Sequence, residues 1–130
     1  MHQLKSVAWL HQDGDKLLCV KTKGKDKFFI PGGKLEAGET NELGLQREIQ
    51  EELGIELKVD TIRHQFSIED IAYGLDNTQL TMHCYTADFR GELAPNAEIE
   101  VMEWFDLSQI DLCAPAAQKA LIRVSGSQSR

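Results

Sequence analysis

The chain predicts an α/β fold in which a mixed sheet is sandwiched between helices, an α/β/α arrangement. Three observations carry the prediction. Apolar, strand-like segments precede and follow one central amphipathic helix. A second helix, opened by Pro115, closes the chain. No internal repeat or linker divides the 130 residues, so the layers belong to one domain. That domain is expected over residues 1–124, with a polar, frayed tail over 125–130.

The first strand is expected over residues 4–11. Val7 and Trp9 alternate there with Ala8 and Leu10, so both faces read as buried. Gln12-Asp13-Gly14-Asp15 is a hairpin turn, Asp-Gly being a strong signal, and residues 16–22 are the return strand. Lys23, Lys25 and Lys27 then surround Gly24, either as a solubilising loop or as a basic lip that meets phosphate. Residues 28–30 form a short strand halted by Pro31-Gly32-Gly33. Proline cannot continue a central ladder, and paired glycines let backbone approach a ligand closely. Lys34 and Leu35 resume a brief extended piece, and residues 36–39 loop into the helix.

The central helix is expected over about 40–53. Thr40 is its N-cap and Glu42 an acid in the first turn, where the helix dipole favours negative charge. Leu45, Ile49 and Leu53 recur every fourth residue, and Gly54 ends the helix. Gly44 lies inside it at a cost of about 1 kcal/mol relative to alanine, which implies close packing against a strand. Beyond the helix, residues 57–67 look extended, 69–79 read as a loop, and 80–89 alternate as a strand. Residues 94–97 are loop and 100–106 a further strand containing Trp104. Ser108 is a candidate cap for a short turn. The last helix is expected over about 115–124, with Ala117, Leu121 and Val124 inward.

Composition narrows the function. A hydrophobic content of 42% suffices for one core. The formal net charge of −7 argues against general binding to a nucleic-acid polymer, which needs a basic surface. It leaves room for a small nucleotide, whose charge a metal and a few local cations can neutralise. No apolar run approaches the roughly 20 residues of a membrane helix. Cys19, Cys84 and Cys113 are scattered and odd in number, reading as reduced thiols. With no signal-peptide pattern at the N-terminus, a cytoplasmic protein is expected, as monomer or homodimer.

The central helix also carries the chemistry. Glu48, Glu51 and Glu52 share its other face, since positions i, i+3 and i+4 are surface neighbours. Three converging carboxylates repel one another, with only Arg47 adjacent. The cluster makes sense around a hard divalent cation, which binds carboxylate, water and phosphate oxygens. Arg47 lies one turn from Glu51 and is placed to hold a glutamate carboxylate.

The spacing Gly33, Glu39, Arg47-Glu48, Ile49, Glu51-Glu52, Gly54, Ile55 resembles the Nudix hydrolase signature at every fixed position. The resemblance in motif is confined to this stretch; elsewhere it lies in the order of elements. It implies the same α/β/α fold and a Mg²⁺- or Mn²⁺-dependent enzyme that cleaves a nucleoside diphosphate linked to another group. By matching positions it implies Glu48 and Glu52 as principal metal ligands, with Glu51 serving a second ion or orienting water. The carbonyl of Gly32 is a further ligand. Glu48 or Glu51 is the general base, and Glu39 closes the loop onto the helix or adds a water-mediated metal contact. Lys34, Lys23 and Phe28 are candidates for the substrate. In the MutT-like branch a further carboxylate stands six residues before a tryptophan. Trp104 puts Glu98 there, with Glu100 and Glu103 as rivals.

The layout 28–40, the Glu103-Trp104 strand end and the Pro-Ala opening of the last helix resemble MutT-like nucleoside triphosphate pyrophosphohydrolases. These release a monophosphate and pyrophosphate. That branch places an asparagine after the Pro-Ala to read oxidised guanine. Here Ala117 follows Pro115-Ala116, and Gln118 comes one residue late on the helix. Phe28, Phe66, Tyr73 and His83 are candidate base-stacking residues. The alternative to an enzyme is a Nudix-fold domain that senses a nucleotide metabolite without turning it over.

Overall fold

The structure, a computed structural model, describes residues 2–128. Nine strands are present among them: β1 (His2–Trp9), β2 (Gln12–Asp13), β3 (Lys16–Thr22), β4 (Gly32–Lys34), β5 (Glu56–Leu57), β6 (Arg63–Ile71), β7 (Thr78–Thr86), β8 (Phe89–Arg90) and β9 (Ile99–Phe105). Two α-helices accompany them, α1 (Asn41–Leu53) and α2 (Pro115–Gln128). The main sheet has the order β4-β1-β7-β6, with β1 and β7 parallel and the other pairs antiparallel. A second sheet has the order β2-β3-β9, and β5 pairs with β8. The mixed sheet between helices is the expected α/β/α sandwich.

The pleat sorts the core into two layers. Val7 and Trp9 join Leu18 and Val20 beneath α1, while Ala8 and Leu10 join Leu17 and Cys19 beneath α2. This is why both faces of the first two long strands read as apolar. Leu45, Ile49 and Leu53 are fully buried, each contributing about 2 kcal/mol relative to exposure. Cys19, Cys84 and Cys113 are free and buried. Among the described residues, no helix is long and apolar enough to cross a membrane.

Several elements depart from the expectation. The hairpin turn forms, with Gly14 at φ 64°, but it joins β3 to the two-residue β2. β3 then pairs with β9, and β1 pairs with β4 and β7. Residues 28–29 make only isolated bridges, whereas Gly32 and Gly33 belong to β4 itself. β4 lies along β1, pairing Gly33 with Val7 and Gly32 with Ala8, so the glycines extend the sheet rather than ending it. Residues 69–71 are in β6, because pairing with β7 supplies the hydrogen bonds that their turn-like composition does not advertise. Asp106, not Ser108, caps the 3-10 turn Leu107–Leu112, accepting from the Ser108 amide at 2.9 Å. The last helix runs four residues past the expected end, to Gln128, so the backbone of residues 125–128 is helical. Residues 129–130 lie outside the described residues.

The helix that bears the acidic motif forms as its caps dictate. Thr40 accepts from the Leu43 amide at 3.2 Å, and Gly54 adopts a left-handed φ of 70° with its N–H on Gln50 O at 3.0 Å. Gly44 packs against the loop rather than a strand. A methyl there would lie 2.4 Å from Leu35 Cδ2 and 3.1 Å from Glu39 Oε1. The missing side chain lets residues 35–39 close onto α1.

Candidate active site

Arg47 is the hub of the acidic edge. Its guanidinium grips Glu39 with two parallel bonds, Nε to Oε2 at 2.6 Å and Nη2 to Oε1 at 2.9 Å. Nη1 donates to Glu48 Oε1 at 2.9 Å and reaches Glu51 at 3.4 Å. Nη2 also donates to the Lys34 carbonyl at 3.3 Å, and Nε lies 3.2 Å from Glu36. Only a planar, forked donor can serve so many acceptors at once. Arg47 thus ties β4, the loop and α1 together, and its partner set is wider than the one-turn contact with Glu51 that spacing alone offers.

The carboxylates occupy different environments. Glu39 is pulled down to about 2 by the Arg47 guanidinium, helped by the Glu36 amide, which donates to it at 2.8 Å. A depressed carboxyl stabilises the fold above its unfolded pKa and loses that effect as pH falls through the folded one. The Tm difference between wild type and Glu39→Gln is therefore expected to be full above pH 4.5 and to shrink toward pH 2. A gap unchanged across an acid titration would rule out this pairing.

Glu48 is nearly buried and shifts upward, because burial outweighs the pull of Arg47. Glu52 is pushed up to about 8, chiefly by burial, although the Gly32 amide donates to its Oε1 at 3.1 Å. Glu51 stays 55% exposed.

Gly33 makes the space that Glu48 uses. A methyl on Gly33 would stand 2.0 Å from Glu48 Oε2. Gly33→Ala is expected to displace that carboxylate and lower activity by about tenfold or more, with an unchanged far-UV circular dichroism spectrum. Wild-type activity in this variant would show that Glu48 need not sit where it does.

An apolar cleft of about 260 Å³ opens beside this edge, between the main sheet and the first turn of α2. Gly32, Gly33, Lys34 and Glu52 form its acidic end, and Phe29, Tyr73 and Met82 are among its apolar walls. Ala117 lines it as well, whereas Gln118 turns its amide to Cys113 O at 2.9 Å. Neither position presents an amide to the cleft.

The candidates from sequence are distributed unevenly around this centre. Glu39, Arg47, Glu48, Glu51, Glu52, Gly32 and Lys34 meet at it. Phe28 does not. It packs on the α2 side against Phe105 at 4.5 Å, because the bridge of Phe29 to Val20 turns the adjacent ring away. Phe29 takes the cleft position instead, a choice that strand alternation allows but cannot make. Lys23 sits on an exposed loop, its amide donating to Glu98 O at 2.8 Å. Glu98 is carried by a loop whose Asn96 amide donates to the Glu52 carbonyl at 2.8 Å, so this loop is docked on the last turn of α1. Glu100 pairs with Lys21 at 3.5 Å, and Glu103 faces solvent on β9. Phe66 packs under Arg123, and His83 bonds Ser67 at 2.6 Å, both away from the cleft lining. Glu36 was not among the candidates; its place three residues before Glu39 was the available signal.

A divalent cation fits the donor chemistry. Glu48, Glu51 and Glu52 offer hard oxygen donors beside the Gly32 backbone, and Gly33, lacking a side chain, lets the Glu48 carboxylate lie close against β4. Among the described residues no three acidic or imidazole groups are already gathered closely enough to hold a metal, since Arg47 engages Glu48 and Glu51. A cation would compete with Arg47 for those oxygens.

A mixed-sheet sandwich whose helix sets this motif at the end of an apolar cleft defines a hydrolase of phosphoanhydride bonds. A family model described as the NUDIX domain matches residues 1–124. The chain belongs to that family, the Nudix hydrolases. It is 33% identical over 111 residues to an oxidized purine nucleoside triphosphate hydrolase of Danio rerio, spanning 83% of this chain and 69% of the relative. It is 30% identical over 122 residues to an ADP-ribose pyrophosphatase of Methanocaldococcus jannaschii, spanning 85% of this chain and 66% of the relative. The fold matches a crystal structure of a MutT NUDIX hydrolase from Burkholderia pseudomallei with a TM-score of 0.78 and 24% identity, over 95% of this chain and 99% of that one.

Proposed function

We propose that this chain hydrolyses a nucleoside or deoxynucleoside triphosphate to the monophosphate and pyrophosphate, with Mg²⁺ or Mn²⁺, as a MutT-like enzyme that cleans the nucleotide pool. One observation carries the reading: Glu52 and Gly32 belong both to the acidic edge and to the wall of the apolar cleft. A molecule with a flat apolar end and a polyphosphate end spans those two environments. The Danio rerio relative, named for oxidised purine nucleoside triphosphates, supports the same class.

In this reading Glu48, Glu51 and Glu52 hold the cation, with the Gly32 carbonyl and Glu98 as further donors. When bound, the cation neutralises phosphate oxygens and makes its water easier to deprotonate. Arg47 and Glu39 fix the carboxylates in place. Glu48 or Glu51 takes the proton of the attacking water; the upward shift of Glu48 brings it nearer the range useful for a base. Lys34, at the acidic end, meets a phosphate, and Lys23 approaches the same charge from its loop. The base lies against Phe29 and Tyr73. Because Ala117 offers it no hydrogen bond, selectivity for an oxidised guanine would have to come from other groups, such as the Ser6 and Thr22 hydroxyls of the cleft. The protein is read as cytoplasmic, a monomer or homodimer, acting on a small nucleotide.

The test is a substrate panel with Mg²⁺ and Mn²⁺: canonical and oxidised nucleoside triphosphates, nucleotide sugars, ADP-ribose and dinucleotides. Pyrophosphate release from a triphosphate at the highest kcat/KM is expected. A preference for ADP-ribose would overturn the substrate assignment, and tight binding without any product would overturn catalysis.

A further inference from the structure

Two loops meet at the Tyr73 side of the cleft. Residues 23–27 follow β3, and residues 72–77 join β6 to β7. The Tyr73 hydroxyl donates to both carboxylate oxygens of Asp26, at 2.9 and 3.0 Å, across a separation of 47 residues in sequence. The loop around Tyr73 has a defined shape: Ala72 N donates to Thr78 O at 3.0 Å and Leu75 N to Ala72 O at 3.1 Å, with Gly74 at φ 84°. Tyr73 is thereby held 6.3 Å from Phe29, ring centre to ring centre, and both rings line the cleft.

The same lip leaves large apolar side chains in water. Ile71 is 61% exposed and Leu75 55% exposed, and both border the cleft. Exposed apolar groups grouped around an aromatic ring at a cavity mouth are surface that a flat, apolar ligand would cover.

We propose that Asp26 and Tyr73 form a clasp that holds the tyrosine ring against the base of the nucleotide, making Tyr73 a determinant of base selectivity and Asp26 its positioning residue. The proposal rests on the nucleotide reading above and adds who grips the base. The clasp favours purines, whose two fused rings cover more of Tyr73 and the apolar lip than one ring does. Tyr73 acts through its face, which any base can meet, and Asp26 acts by fixing where that face points. The 23–27 loop is also tied to the Glu98 loop through the Lys23 amide, so the clasp is braced against the loop at the catalytic end.

The experiment is steady-state kinetics of the Mg²⁺-loaded enzyme on purine and pyrimidine nucleoside triphosphates, with isothermal titration of the purine monophosphates in EDTA. Tyr73→Ala is expected to raise KM for purine substrates about tenfold, with a smaller rise for pyrimidines and kcat little changed. Tyr73→Phe and Asp26→Ala should each give a smaller rise of similar size, and the double variant no more than either alone. Asp26→Asn, whose amide oxygen still accepts from the phenol, should restore KM. Monophosphate affinity should follow the same order. An unchanged KM in Tyr73→Ala overturns the clasp, as does a fall in kcat alone or multiplying effects of Tyr73→Phe and Asp26→Ala. Triphosphate turnover with KM indifferent to Tyr73 leaves the proposed function standing and removes the clasp. Tyr73-dependent monophosphate binding without turnover removes the proposed function and leaves the clasp. Neither turnover nor binding removes both.

Discussion

Glu52→Gln is expected to lower turnover by about a thousandfold, a loss of roughly 4 kcal/mol of transition-state stabilisation, while leaving the fold intact. Glutamine keeps an oxygen for the Gly32 amide, which donates to Glu52 at 3.1 Å, but it lacks the negative charge a cation needs. Its effect on stability should run the other way. Burial, with Glu48 and Glu51 nearby, pushes the Glu52 carboxyl from 4.5 up to about 8 in the metal-free protein, against the pull of the Gly32 amide. The folded state then holds this proton more tightly than the unfolded chain does. The associated stability is complete below pH 4.5 and is lost as pH rises through about 8. In EDTA, wild type and Glu52→Gln should therefore melt together at acid pH, and the variant should melt higher above pH 8. Adding Mg²⁺ should raise the Tm of wild type and hardly move the variant. A variant that keeps activity, or shows the full metal-induced shift, would remove Glu52 from the metal.

Arg47→Ala should reduce activity about a hundredfold, because it releases carboxylates that must be placed to within about an ångström. One guanidinium holds Glu39 by two bonds, Glu48 by one and the Lys34 carbonyl by another. Without it, Glu48 is left nearly buried with its carboxyl rising further, and the loop over 36–39 loses its anchor to α1. Arg47→Lys should recover little, since an ammonium cannot reproduce the planar fork. A melting curve separates the two consequences. Loosening of the loop lowers Tm in both variants, whereas misplacement of Glu48 shows as lost turnover at temperatures where both remain folded. Full rescue by lysine would show that Arg47 supplies charge alone.

The parts of the fold legible beforehand were those fixed by near neighbours in sequence. The helix from residue 41 to 53 follows from a threonine cap, a four-residue apolar spacing and a terminal glycine, and each of these acts within a turn or two. The Asp-Gly turn was legible for the same reason. Which strand lies beside which was not. β3 looked like the partner of β1, yet it pairs with β9 across more than 70 residues, and β1 runs parallel to β7. Residues 69–71 carry turn-like composition but join β6, because a partner strand satisfies their backbone. Phe28 and Phe29 are indistinguishable as residue types; only the bridge to Val20 decides which of them faces the cleft.

The amino-acid order alone determined the acidic helix, the glycines beside it and the family to which they point, because a helix brings residues three and four apart onto one face without outside help. Tertiary structure decided how much room Glu48 has beside Gly33, how deeply Glu52 is buried, and which aromatic rings wall the cleft. Those outcomes depend on strands that are distant in the chain and meet only through packing and shared hydrogen bonds, and no local spacing encodes them.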